Sequence, residues 1–253
     1  ITTIVYIPSL DGYWKNSFDV LKLFFQSLKE NTSQSYDLMV LDNGSCKKII
    51  DYLIRLRNDG IIQYLILSYK NLKKLGALNY LLRSAPGEII SYADSDVFFL
   101  EGWLDESLKI ISTYPEAAKV TAIPIVGGDT TKISNTFYLA ALEDRSINVS
   151  TGILVKDDYV KAHATSIGKS INNFVPSDRI DTLLERDNVR AFLSTADFQF
   201  TIIRSALSKI LPLELTNEED YYDPIYSPIL ENKLDEEGWW QLSSSKYLIH
   251  HMG

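Results

Sequence analysis

The chain has one cysteine, Cys46, in 253 residues, and that scarcity removes several classes of protein at once. A lone thiol can build neither an internal disulfide framework nor a cysteine-based zinc site, and it suits a reducing compartment such as the cytoplasm. Histidine is nearly as scarce, with three copies, two of them adjacent at His250 and His251. Positive charge is also short: 25 Lys and Arg against 33 Asp and Glu leave a net charge of −8. No basic stretch offsets this, which argues against nucleic acid as a partner. No apolar run reaches the roughly 18 residues that span a bilayer, so there is no transmembrane segment and any membrane contact would be peripheral. Nor does a Gly-x-Gly-x-x-Gly follow the first apolar strand, which speaks against a dinucleotide-dependent dehydrogenase.

What is present suffices for a full core. At 45% hydrophobic and 23% charged residues, the chain reads as a single domain over 1–253. Its first half alternates strand and helix at intervals of about 25 residues, the pattern of an α/β protein with a mostly parallel sheet and helices on both faces. Thr3–Ile7 is the first predicted strand, ended by Pro8. A helix from Asn16 or Ser17 to Lys29 carries Val20, Leu21, Phe24, Phe25 and Leu28 on one stripe. Asp37–Leu41 is the second strand, and Ser45 is placed to cap the helix that runs to Arg57. Strands at Ile61–Leu67 and Glu88–Ala93, helices at Leu75–Arg83 and Trp103–Thr113, and a strand at Lys119–Ile123 complete this half. The second half is less regular. Residues 127–185 read as loops, short strands and one helix over the carboxyl edge of the sheet. Phe198–Ile203 and Lys246–Ile249 read as strands, with a short helix at Ser205–Ile210.

Three places carry residues suited to chemistry. Asp94-Ser95-Asp96 closes an apolar run, so two carboxylates sit where open α/β sheets bind ligands; they suit a hard divalent cation carrying phosphate oxygens. With 20 Asp in the chain, an Asp-x-Asp arises by chance about once or twice, so its position after a strand is what gives it weight. Asp42-Asn43-Gly44-Ser45 also follows a strand; Asp42 can accept from a ribose or base, or simply serve a turn. His250 and His251 end the last strand, and neighbours in a strand face opposite ways, so only one can share a ligand with the carboxylates.

The order Tyr6-Ile-Pro8, Asp42-Asn-Gly-Ser45, Asn71-Leu-Lys-Lys-Leu-Gly-Ala-Leu-Asn79 and Tyr92-Ala-Asp-Ser-Asp96 resembles the family 2 glycosyltransferases. The likeness is close over 1–125 and looser to the end. It implies a GT-A (Rossmann-like) fold, with 1–125 as the nucleotide-sugar half and 126–253 as the acceptor-binding and catalytic half. By position, Pro8, Asp42, Asn71, Gly76, Asn79, Asp94 and Ser95 would bind the donor. Asp94, Asp96 and one of His251 or His250 would hold Mn²⁺ or Mg²⁺. The acidic run Glu218-Glu219-Asp220 stands where the family carries its general base, with Asp220 first and Glu219 beside it, although Glu218 replaces the usual Gly and Pro224 and Pro228 interrupt the following helix. Asp197 is the second choice of base.

These residues imply a metal-dependent glycosyltransferase, inverting at the sugar, acting from a nucleotide-sugar onto a glycan, lipid-linked or small-molecule hydroxyl. A retaining enzyme on the same fold and a non-catalytic carbohydrate- or partner-binding module are the alternatives. Trp239 and Trp240 could stack on a sugar or pack in the core, and Tyr221, Tyr222 and Tyr226 could line an acceptor site.

Overall fold

The computed structural model describes residues 1–126, 135–170, 174–175, 179–214 and 229–253. In its first half the expected alternation is realised: β1 (Thr2–Val5), α1 (Ser17–Asn31), β2 (Met39–Asp42), α2 (Lys47–Asn58), β3 (Tyr64–Leu67), α3 (Lys73–Ser84) and β4 (Ile89–Asp94). The strands lie in the order β3-β2-β1-β4, all parallel, so their carboxyl ends share one edge. The side-chain period of two divides each strand between two helical layers. Val40 joins Leu21, Phe24 and Leu28 of α1 and Leu53 of α2 on one face. Met39 and Leu41 join Leu78, Leu81 and Leu82 of α3 on the other. Burying a leucine of this kind contributes about 2 kcal/mol, and truncating it to Ala costs about 2–5 kcal/mol.

After β5 (Val97–Phe99) and α4 (Trp103–Thr113), β6 (Ala117–Thr121) returns to the large sheet but not beside β4. The gap is filled by β10 (Gln199–Ile203), antiparallel to both neighbours. The sheet continues through β11 (Trp240–Ser244), β9 (Val189–Phe192), β8 (Asp181–Arg186) and β7 (Asn148–Gly152), ten strands in all among the described residues. The region 127–185, expected to be loops, short strands and one helix over the sheet's edge, supplies strands to the sheet itself and, among the described residues, the helices α5 (Asn135–Glu143) and α6 (Asp157–Ser166). α7 (Arg204–Ile210) and α8 (Ile229–Glu236) pack on the α3 face. The last strand, β12 (Ile249–His251), starts later than its sequence suggests and pairs with β5 in a separate two-stranded sheet. Trp240 is buried at the start of β11 and Trp239 packs beside Leu234 and Leu207, so both serve the core. Among the described residues no helix is long and apolar enough to cross a membrane.

Candidate functional site

The carboxyl edge of the parallel strands is built by three turns that bind one another. Past β2, the Asp42 carboxylate accepts from the Gly44 and Ser45 amides at 3.2–3.3 Å and is wholly buried. The side chain read from sequence as an acceptor for a ribose or base, or as a turn former, thus folds its own turn. Ser45 does not cap α2, which begins at Lys47 after Cys46. Its hydroxyl accepts from the Ile7 amide at 3.0 Å and ties the β1 exit, with exposed Pro8, to the β2 exit. Gly44 lies at φ +95°, where a Cβ would be strained, and its Cα side faces the Asn71 amide.

Asn43 then organises the third turn. Its Oδ1 accepts from the Leu72 amide at 2.8 Å and its Nδ2 donates to Asn71 Oδ1 at 3.0 Å; Asn71 Oδ1 also accepts from the Lys73 amide at 2.7 Å. These bonds hold Lys73 in a left-handed backbone, φ 59°, which is costly for a side chain with a Cβ. α3 starts there, with Lys74 in its first turn and exposed Gly76 one turn along. Asn79, further down α3, has its amide committed elsewhere: Nδ2 donates to the Leu213 carbonyl and Oδ1 accepts from the Leu213 amide, both at 2.7 Å.

The acidic pair is split by its surroundings. The Asp94 amide donates to the Phe198 carbonyl at 2.8 Å, which sets Asp197 of the β9–β10 connection beside it. Asp94 Oδ1 accepts from the Tyr92 hydroxyl and Oδ2 accepts from Lys74 Nζ at 3.0 Å. Lys74 Nζ also lies 3.6 Å from Asp197 Oδ2. Burial alone would lower the Lys74 ammonium's pKa, but Asp94, Asp197 and Asp96 together raise it above its ordinary value.

Ser95 and Asp96 form the turn between β4 and β5, and β12 lies antiparallel against β5 with His251 opposite Val97. The Met252 amide donates to the Asp96 carbonyl at 2.8 Å. Asp96 Oδ2 comes within 3.6 Å of His251 Nε2, while Oδ1 is buried with no hydrogen-bond partner. Burial raises the Asp96 carboxyl's pKa, His251 opposes that, and Asp94 adds to it. His250 points the other way and bonds the Tyr247 hydroxyl through Nδ1 at 2.7 Å. The third histidine, His163 of α6, lies between the rings of Phe174 and Phe198; the Phe198 ring in turn meets His251 edge-on. Burial first, then the charges of His251 and His250, lower its pKa to about 4.

An unpartnered buried carboxylate oxygen beside an imidazole fits Mn²⁺ or Mg²⁺, with Asp96 and His251 as the donors the protein offers. No group of three or more His, Cys, Asp or Glu converges among the described residues, so the remaining ligands must come from elsewhere. The Gly253 amide donates to His251 Nδ1 at 3.1 Å, so Nε2 is the ring nitrogen turned towards Asp96. Glu219 and Asp220 lie outside the described residues, as do Tyr221, Tyr222 and Tyr226. Lys74, Asn43 and Tyr92 each fall inside a motif read from the sequence, but none was assigned a role of its own there.

A large, mostly parallel α/β sheet with helices on its faces, extended by a mixed set of strands, is the fold of the GT-A glycosyltransferases. The sequence matches the family described as Glycosyl transferase family 2 over residues 14–164, and the chain belongs to that family. No curated protein sequence matches it. Among solved structures it is similar to GalNAc-T7 with UDP, GalNAc and Mn²⁺, at 14% identity and a TM-score of 0.54, covering 99% of this chain and 42% of that one. It also matches the mannosyltransferase PcManGT from Pyrobaculum calidifontis in complex with GDP-Man and Mn²⁺ (15% identity, TM-score 0.45, 84% of this chain and 47% of that one). A third match is S. aureus TarS 1-349 (14% identity, TM-score 0.48, 98% and 58%). The chain spans about half the length of these structures.

Proposed function

We propose that the chain is the glycosyl-transfer domain of a metal-dependent enzyme, moving a sugar from a nucleotide-sugar to a hydroxyl acceptor with inversion at the anomeric carbon. The observation that carries this reading is the open, buried Oδ1 of Asp96 facing the same edge as His251, Lys74 and the β1, β2 and α3 turns. Pro8, Asn71, Gly76 and Ser95 form the rim against which the nucleoside lies. Asp42 and Asn79 act from behind it, one shaping the β2 turn and the other fixing α3 to the Leu213 backbone.

Asp96 and His251 would hold Mn²⁺ or Mg²⁺, which supplies positive charge beside the diphosphate as its bond to the sugar breaks. The acceptor oxygen bonds to the anomeric carbon while the bond to the diphosphate oxygen breaks and that electron pair leaves with the nucleotide. The hydroxyl proton passes to a carboxylate, for which Asp220 is the proposed base and Glu219 its neighbour. Asp197 is the weaker candidate because it sits on the donor side, 3.6 Å from Lys74 and beside Asp94.

Calorimetric titration of UDP, GDP and dTDP with and without Mn²⁺ tests the donor half of this reading. One of the three should bind in a metal-dependent manner, and Asp96→Asn should lose most of that dependence. Binding of none, or binding indifferent to the metal, removes the reading. For the base, Asp220→Asn should lower kcat by about 10²–10⁴-fold with donor affinity kept, and Asp197→Asn should not show that split. Product stereochemistry is checked alongside, because retention at the anomeric carbon would need no such base.

A further inference from the structure

We infer that Lys74 is an internal cation that keeps Asp94 out of the metal's ligand set, so that of the Asp94–Asp96 pair only Asp96 meets the ion. The inference rests on the metal-dependent reading above and divides its acidic pair into two roles. Both Asp94 oxygens are already committed, Oδ1 to the Tyr92 hydroxyl and Oδ2 to the Lys74 ammonium at 3.0 Å. Asp96 Oδ1, two residues away, is buried and has no partner. The ammonium is held from several sides: Asp197 Oδ2 is 3.6 Å away and the Tyr92 ring centroid 5.9 Å. Its backbone is fixed as well, since Asn43 and Asn71 lock the turn at Lys73 from which α3 begins.

A divalent ion on Asp94 would have to displace this ammonium or sit beside it, and two cations a few ångströms apart repel each other in a partly buried site. Asp96 carries no such obstacle, because its Oδ1 has no hydrogen-bond partner and its Oδ2 meets only the His251 ring at 3.6 Å. The arrangement would leave Lys74 on Asp94 and the metal on Asp96. A diphosphate lying between them would meet positive charge from both, one fixed by the fold and one brought by the ion.

The test is a Mn²⁺ titration followed by electron paramagnetic resonance on the full chain without nucleotide, comparing wild type with Lys74→Met, Asp94→Asn and the double variant. Lys74→Met should raise Mn²⁺ affinity about tenfold by freeing Asp94. Adding Asp94→Asn should abolish that gain, whereas Asp94→Asn alone should leave wild-type Mn²⁺ affinity within about twofold. UDP, GDP or dTDP, whichever binds wild type, should bind Lys74→Met several-fold more weakly. Unchanged or weaker Mn²⁺ binding in Lys74→Met overturns the inference. So does a loss in Asp94→Asn as large as that in Asp96→Asn, and this arm stands even if Lys74→Met fails to fold. If no nucleotide binds wild type with metal, the donor reading fails, and the nucleotide-free comparison still decides the role of Lys74.

Discussion

Lys74 and Lys119 each meet a carboxylate, one at the rim of the parallel half of the sheet and one inside its mixed half. Lys119, on β6, is wholly buried, bonds Glu231 of α8 and faces the Phe200 ring at 5.0 Å. Glu231 Oε2 has no partner, so the pair is sealed rather than fully satisfied. Lys74 keeps about a third of its side-chain surface, with Asp94, Asp197 and Asp96 around it. The same ion pair therefore serves two ends. Where water is excluded it locks a helix to a strand, and at the open edge it ties the first turn of α3 to the end of β4.

The strongest break in this comparison is Lys119→Met. It leaves Glu231 charged and unpaired in the core, so chemical denaturation should show a loss of about 3–5 kcal/mol. Lys119→Met with Glu231→Leu should recover most of it. Lys74→Met should cost under about 1 kcal/mol by the same measurement, because its partners remain hydrated. Equal losses at the two positions would mean that Lys74 is structural.

A second contrast separates the adjacent histidines. His251→Ala should weaken Mn²⁺ binding about 10–100-fold, as loss of a ligand or its support does. His250→Ala, which loses only the Tyr247 hydrogen bond, should leave it unchanged. Equal effects at both would place the ion elsewhere.

A further effect is one of pH. His163 has a pKa of about 4 in the fold against about 6.5 in an unfolded chain. Above pH 6.5 the ring is neutral in both states and nothing is lost. As pH falls from about 6.5 towards 4 the unfolded chain takes up a proton that the folded one refuses, so stability drops, by about 3 kcal/mol. His163→Leu should flatten the dependence of melting temperature on pH over that interval. An unchanged slope would show that other groups set it.

Local sequence carried the parallel half because each element there is coded by its own periodicity. The stripe of Leu21, Phe24, Phe25 and Leu28 makes a helix, and the apolar run before Asp94 makes a strand that must end on its carboxylates. The placement of the acidic pair at a strand end and the family itself were legible on those grounds. The mixed half was not, because its order depends on pairings across the chain. Nothing near Gln199 announces that it will lie between Ala93 and the β6 strand, and Trp240 carries the same local pattern whether it faces a sugar or the core. Charge partners obey the same limit. Asp94 meets a lysine 20 residues earlier and an aspartate across the neighbouring strand, Asp96 meets an imidazole at the far end of the chain, and Asp42 turns inward to its own amides. Sequence fixes which residues can bear charge, since that is covalent chemistry. Only the folded chain decides which charge is neutralised and which is left open, because that is set by distance and burial, and both are created by long-range packing.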